Sequence, residues 1–357
     1  MQGCWRKRGR LPVQLIDGAG RLAKGPALLI ILGAAFAVSA VSVTSGAYPL
    51  SAADILAVLK GELDDDIVSM VLFDVRLPRL ILGFLVGAVL AVSGAILQGL
   101  FRNPLADPGL IGVSAGASLA AIAVIVLGGT WLGGWLDLAG VWALPVAAFA
   151  GGSGTVFLAW RIARRAGQTS VATLLLAGIA INAIAGAGTG LLTFYSSDEE
   201  LRSLTFWTMG SLGHAAWDDV VMAGPWLLLS LCAAPFLARP LDAFLLGEHV
   251  VGHLGYNADW AKRAAVLIAG LGVGAAVAVS GLIGFVGLVV PHLVRQALGA
   301  GHRIVIPVSA LAGGTLLVGA DCLARVVVAP AELPIGLVMA LIGGPFFLLL
   351  LLRTRIV

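Results

Sequence analysis

Charge is what this chain has least of. Only 11% of its 357 residues are charged and 59% are hydrophobic, where soluble domains run near about 25% charged and about 45–50% apolar. That excludes a water-soluble fold. Lysine is scarcer still: Lys7, Lys24, Lys60 and Lys262 are the whole set, and none follows a glycine. A GxxxxGK[ST] phosphate loop is therefore absent, and the chain has no such loop with which to hydrolyse a nucleotide. The three cysteines, Cys4, Cys232 and Cys322, stand far apart without a CxxC pair, which excludes a disulfide framework and a zinc site. A net charge of +3 carries no nucleic-acid reading, because in such a chain the placement of charges matters more than their sum.

Long apolar runs are what remains. A bilayer core takes about 20 mostly apolar residues per helix, and runs of that kind fall near 25–47, 80–101, 109–128, 141–160, 171–194, 220–238, 264–281, 282–298, 304–320 and 333–352. The expected fold is thus all-α, a polytopic bundle of about ten transmembrane helices over 25–357 behind a basic segment, 1–24. The first run exceeds the roughly 7–15 residues of a secretory signal, which predicts an uncleaved first helix. The seventh and eighth runs meet at Ser280-Gly281, and the eighth is short and contains Pro291. A hairpin or broken helix is expected there, with Pro291-His292 capping a helix.

Alternating the runs from a cytoplasmic N-terminus leaves 17 basic residues inside and only Lys60, Arg76, Arg79, Arg202 and Arg325 outside, while acids such as Glu62, Asp198, Glu199 and Glu200 collect on the outer side. This is the positive-inside pattern, with both termini cytoplasmic. The pairs Gly83/Gly87, Gly112/Gly116, Gly186/Gly190 and Gly270/Gly274 have the GxxxG spacing that lets helix backbones approach. The echo of Gly109-Leu-Ile-Gly112 in Gly281-Leu-Ile-Gly284 suggests a five-plus-five inverted repeat.

No charge falls in the middle of any run, although intramembrane charges are commonly kept where protons or ions must cross. Ion-coupled transport is thereby disfavoured, and energy for transport must come from a separate ATPase. Gly112-Val-Ser114-Ala-Gly116 matches the G-x-S-x-G nucleophile elbow, but that elbow needs a strand-to-helix turn with a histidine and an acid nearby. At the head of a membrane helix these small residues read as packing.

The stretches Arg76-Leu-Pro-Arg79, Ala91-Val-Ser-Gly94, Gln98, Arg102-Asn-Pro-Leu-Ala-Asp-Pro-Gly109, Phe206-Trp-Thr-Met-Gly-Ser-Leu212, Gly281 to His292, Ala320-Asp-Cys-Leu-Ala-Arg325 and Glu332-Leu-Pro-Ile-Gly336 together resemble the FecCD family of permeases. These are the membrane subunits of type II ABC importers for vitamin B12, haem and ferric siderophores. The resemblance implies ten helices per subunit in the bacterial inner membrane, a homodimer, two cytoplasmic ATPase subunits that carry ATP and magnesium, and a periplasmic substrate-binding protein. No cofactor or metal is expected on this chain. It further implies a path along the dimer axis lined largely by the fifth helix.

Carried residue by residue, the resemblance marks the glycine-punctuated loop 241–257 as two short coupling helices, with Leu246, Gly247, Glu248 and His253 central to the ATPase contact. Arg76, Arg79 and Arg325 match arginines that pair with glutamates of the binding protein, a geometry that suits guanidinium. Asn103, Leu105, Thr169 and Ser170 match the cytoplasmic gate. Trp207, Met209 and His214, near the outer end of the fifth run, are candidates to line the pathway. The expected cargo is an iron chelate, haem before siderophore and siderophore before cobalamin. The alternatives are an ATPase-independent secondary transporter or channel, which has no need of a docking loop, and an intramembrane enzyme built on Ser114.

Overall fold

The computed structural model describes residues 24–46, 48–62, 65–165 and 168–353. The basic segment expected over 1–24 lies outside them apart from Lys24. Sixteen α-helices run in order: α1 (Lys24–Thr44), α2 (Ala52–Leu59), α3 (Asp66–Met70), α4 (Leu77–Phe101), α5 (Val113–Leu127), α6 (Gly133–Ala139), α7 (Ala143–Ala163), α8 (Val171–Tyr195), α9 (Asp198–Met209), α10 (Trp217–Ala233), α11 (Ala238–Leu245), α12 (Glu248–His253), α13 (Ala258–Ser280), α14 (Val286–Leu298), α15 (His302–Val326) and α16 (Ile335–Arg353). Between α7 and α8 a two-residue antiparallel hairpin pairs β1 (Arg164–Arg165) with β2 (Gln168–Thr169).

Among the described residues, seven helical segments are long and apolar enough to cross a membrane, and α5, α14 and α16 supply three shorter apolar helices. That makes about ten, in register with the ten apolar runs. The main difference is at the second span, which is helical from Asp66 to Phe101, well ahead of residue 80. Charges at Asp66, Asp74, Arg76 and Arg79 end the apolar run but not the helix. A six-residue π-helical stretch, Val71–Arg76, carries the chain into α4, where Pro78 has no N–H to donate and the Phe73 oxygen instead accepts from Trp217 Nε1 at 2.9 Å.

Helix α4 is the axis of the bundle. It is buried along most of its length and packs against α10, α13, α14 and α15, while α5 and α7 pack on one another and on α8 and α13. Apolar burial alone drives little association in lipid, so close van der Waals contact must hold such helices together. The tightest approach joins α4 to α14: a methyl group added at Gly94 would lie 1.8 Å from the Gly287 carbonyl oxygen. Of the GxxxG pairs, Gly87 and Gly116 sit at such contacts, whereas Gly186 and Gly190 on α8 meet nothing within 4 Å among the described residues. The same side of α8 exposes Leu176, Ile179, Leu191 and Phe194.

The junction expected at Ser280-Gly281 is a break. Helix α13 stops at Ser280, Gly281 and Phe285 take left-handed backbone (φ 65° and 67°), and α14 starts at Val286. Pro291 and His292, expected as a cap, instead lie inside α14. A proline there deprives the carbonyl four residues earlier, that of Gly287, of its N–H partner. Gln98 of α4 replaces it, its Nε2 donating to the Gly287 and Leu288 oxygens at 3.1 and 3.3 Å.

Candidate functional site

At one end of the bundle the chain turns through α11 and α12. Leu241, Phe244 and Val251 are buried and anchor the pair, while Leu245, Leu246 and Leu254 point outward, Leu246 with 69% of its surface exposed. Gly247, at φ 119°, reverses the chain between the two helices, a conformation that side chains with a Cβ resist. Glu248 and His253 are exposed beside it. The helical pair spans 238–253, set slightly ahead of the expected 241–257. It presents a compact apolar knob with acidic and imidazole groups at its edge.

Beside this knob sits the hairpin. The Thr169 backbone N–H donates to Asp259 Oδ1 at 2.8 Å, and Lys262 Nζ donates to the Thr169 oxygen at 2.7 Å and to the Glu248 carboxylate. Asp259 also pairs with Arg263 at 3.1 Å, and the guanidinium groups of Arg263 and Arg164 both lie over the Trp160 ring. Ser170 caps α8, its hydroxyl accepting from the Thr173 N–H at 3.3 Å. Asn103 follows Arg102, the left-handed residue that closes α4, and its Oδ1 accepts from the Leu105 N–H at 2.9 Å. Asp107 caps the next turn by accepting from the Gly109 N–H at 2.8 Å, and burial pushes its carboxyl above the usual carboxylate range. Each of the four residues expected at the gate thus stands at a chain reversal or a helix start.

A second polar chain leaves the same end. Asp242 of α11 accepts from the backbone N–H of His302 at 2.8 Å and lies 2.7 Å from its Nδ1, and the His302 ring is wholly buried. Arg295 of α14 reaches His302 Nε2 at 3.5 Å, donates to the Ala95 oxygen at 3.0 Å, and donates to Gln98 Oε1. Gln98 then holds the carbonyls that Pro291 leaves open. The knob is in this way continuous, through hydrogen bonds, with the last two turns of α4 and the first turn of α14.

At the opposite end the three expected docking arginines are turned inward, with exposures of 5% for Arg76, 8% for Arg79 and 7% for Arg325. Arg79 grips Asp321 through Nε at 3.1 Å to both oxygens and Nη2 at 2.8 Å, and holds Glu332 at 3.0 Å. Arg325 pairs with Asp321 at 3.2 Å and donates to Ser42 Oγ at 2.8 Å and to the Ser45 oxygen at 3.1 Å. Arg76 donates to the Val43 and Tyr48 carbonyl oxygens. All three guanidinium groups are engaged within the chain, Arg325 Nε, among the described residues, by its ion pair with Asp321 alone, and they brace the end of α1 against α4 and α15.

Near this brace opens a cavity of about 910 Å³ whose wall includes Trp142, Arg202, Phe206, Trp207, His214 and Asp219. Trp207 and Met209 lie on α9, a separate helix begun by a Ser197/Glu200 capping box and not on the end of α8. Met209 is exposed but is not part of the cavity wall, so of the three pathway candidates only Trp207 and His214 meet there. The end of α9 is pinned by backbone contact: the Ser211 N–H donates to the Ser280 oxygen at 2.8 Å, and methyl groups added at Gly281 or Gly336 would lie 2.3 Å from the Trp207 oxygen and 2.2 Å from the Met209 oxygen.

Lys262, Asp259, Arg295, His302 and Asp242 were not singled out from the sequence. A lysine or arginine at a helix end reads as a topological charge, and nothing local announces a partner 93 residues away, as for Lys262 and Thr169. Asp321 and Glu332 were visible inside quoted motifs, but not their convergence on Arg79 across 242 and 253 residues.

The chain matches the model of the FecCD transport family over residues 29–353. It is 48% identical over 283 residues to the hemin transport system permease protein HmuU of Yersinia pestis, covering 79% of this chain and 83% of that one. It is 44% identical over 277 residues to the cobalamin import system permease protein BtuC of Halobacterium salinarum, covering 78% and 72%. A solved structure, described as "An inward-facing conformation of a putative metal-chelate type ABC transporter", superposes with a TM-score of 0.81 at 31% identity, over 92% of this chain and 99% of that one.

Proposed function

The chain belongs to the FecCD transport family, and on that premise we propose that it forms the translocation pathway for an iron chelate, with haem first, a ferric siderophore second and cobalamin third. It is a multi-pass permease subunit of an ABC importer, and a separate ATPase and a binding protein are its partners. The secondary-transporter and enzyme alternatives end with that membership. The observation that carries the choice of haem is the 48% identity to a hemin permease across most of the chain. The cavity supports it, since Trp142, Phe206 and Trp207 offer ring faces to a planar apolar chelate and Arg202 offers a cation to its acids.

In this reading residues 25–357 form one permease domain in the bacterial inner membrane, with both termini in the cytoplasm. The α11–α12 knob is then cytoplasmic, and Leu246, Gly247, Glu248 and His253 dock the ATPase, which carries ATP and magnesium; the permease itself binds no cofactor. Asn103, Leu105, Thr169 and Ser170 form the inner gate, and Trp207, Met209 and His214 line the outer approach. The binding protein docks over the rim that Arg76, Arg79 and Arg325 brace. Two copies pair along the open face of α8, where Gly186 and Gly190 allow close approach. A five-plus-five inverted repeat is supported by a matched contact: the Leu110 oxygen abuts Gly178 of α8 and the Leu282 oxygen abuts Gly336 of α16, each from the second position of a Gly-Leu-Ile-Gly segment.

The test is reconstitution in sealed vesicles with a partner ATPase and a binding protein. Uptake of haem, a ferric siderophore and cobalamin is compared at equal concentration. ATP-dependent haem uptake exceeding the other two is expected, and preferential uptake of cobalamin would overturn the order.

A further inference from the structure

One buried side chain holds both the α11–α12 knob and the hairpin. Lys262, on the first turns of α13, is 4% exposed, and burying an ammonium is costly unless its donors are engaged. It has three N–H donors and no acceptor. One goes to the Glu248 carboxylate at the head of α12 and another to the Thr169 main-chain oxygen at 2.7 Å. Asp259, three residues earlier on the same helix, takes the Thr169 N–H at 2.8 Å. Helix α13 therefore grips the hairpin by both main-chain groups of one residue.

We propose that Lys262, steadied by Asp259, is the strut that carries displacement of the docking knob into the gate hairpin. It is a positioning residue for ATP-driven transport and not part of the ATPase contact, and this rests on the reading of α11–α12 as the docking segment and of Thr169 and Ser170 as gate residues. Helix α12 has only six residues, too few to stand alone, and it is held from below by buried Val251 and by this ion pair. A push on Leu246 and its neighbours is delivered through Glu248 to Lys262. From there it reaches the hairpin through the Thr169 main-chain oxygen, with no side chain of the hairpin between. Contact by main chain also makes a specific demand: the link runs through the backbone N–H and oxygen of residue 169 and so depends on their geometry.

The experiment uses the full complex in vesicles, with haem-loaded binding protein as the probe. ATPase capture, stimulation of ATP hydrolysis by loaded binding protein, and uptake are measured side by side. Lys262→Met is expected to capture the ATPase as the parent does, yet to lose stimulation and to cut uptake by about ten-fold, the upper part of what perturbing a coupling network does. Lys262→Arg, which retains charge and several donors, is expected to recover most of it. Parental uptake by Lys262→Met, or failure of Lys262→Arg to rescue, would overturn the strut. So would loss of ATPase capture by Lys262→Met when Leu246→Arg also loses it, since Lys262 would then belong to the docking surface. Parental ATPase capture by Leu246→Arg would instead sink the docking reading beneath it. Should Lys262→Met fail to fold, Asp259→Ala decides: it removes the acceptor of the Thr169 N–H, spares the Glu248 pair and is expected to lower uptake with capture intact, and unchanged uptake refutes the proposal.

Discussion

Replacing Asp321 with asparagine removes the one carboxylate that two buried guanidinium groups share. Asp321 takes Nε and Nη2 of Arg79 at 2.8–3.1 Å and Nε of Arg325 at 3.2 Å, and all three residues are less than one-tenth exposed. Breaking a buried ion pair by removing one partner costs about 3–5 kcal/mol, because the other charge is left uncompensated. Here the lower end applies. Arg79 retains Glu332, which is about half solvated, and Arg325 retains Ser42 and Ser45. At about 2–4 °C per kcal/mol for a chain of this order of size, the purified Asp321→Asn protein in detergent is expected to melt roughly 6–12 °C below the parent, followed by tryptophan fluorescence. Substituting Arg79→Met, Asp321→Leu and Arg325→Met together is expected to regain much of the loss, since apolar groups of similar volume are commonly as stable as the ions they replace. An Asp321→Asn protein that melts with the parent but no longer captures the binding protein would refute the brace and return these arginines to a surface role.

Two further outcomes follow from the packing of α4 on α14. Gly94→Val places branched carbon where even a methyl lies 1.8 Å from the Gly287 oxygen, so the helices must separate; a loss above the usual overpacking cost of about 1–3 kcal/mol is expected, read as collapse of folded yield or melting temperature. Gln98→Leu leaves the Gly287 carbonyl and the Arg295 guanidinium short of a partner and is expected to cost about 1–3 kcal/mol. Gln98→Glu keeps an acceptor for Arg295 but loses the donor, so a melting temperature equal to the parent's would show that the carbonyl needs no side-chain donor.

The membrane spans were legible because each is a run of apolar residues about as long as a bilayer is thick, and the break after Ser280 was legible from Gly281 and a short following run. What hid was everything that depends on charge meeting charge. Asp66, Asp74, Arg76 and Arg79 end the second apolar run, yet the helix continues through them, because partners on α15 and on the segment after α1 take up the buried arginines. The docking reading placed Arg76, Arg79 and Arg325 at a rim facing a partner, and the fold uses them to brace that rim. At the other end Leu246, Gly247 and Glu248 were found from glycine punctuation and likeness, whereas Lys262 read only as a topological marker. His292 shows the limit of local rules: a proline before it predicts a stop, and a glutamine on another helix cancels the prediction.

That glutamine sets a condition on how the molecule moves. Hydrocarbon has no water to lend a bare carbonyl, so a kinked span can leave its neighbour only by exposing the oxygen that Gln98 now covers. Parting the second crossing from the eighth thus costs a buried hydrogen bond, which favours the two moving together while a passage opens and closes along another seam.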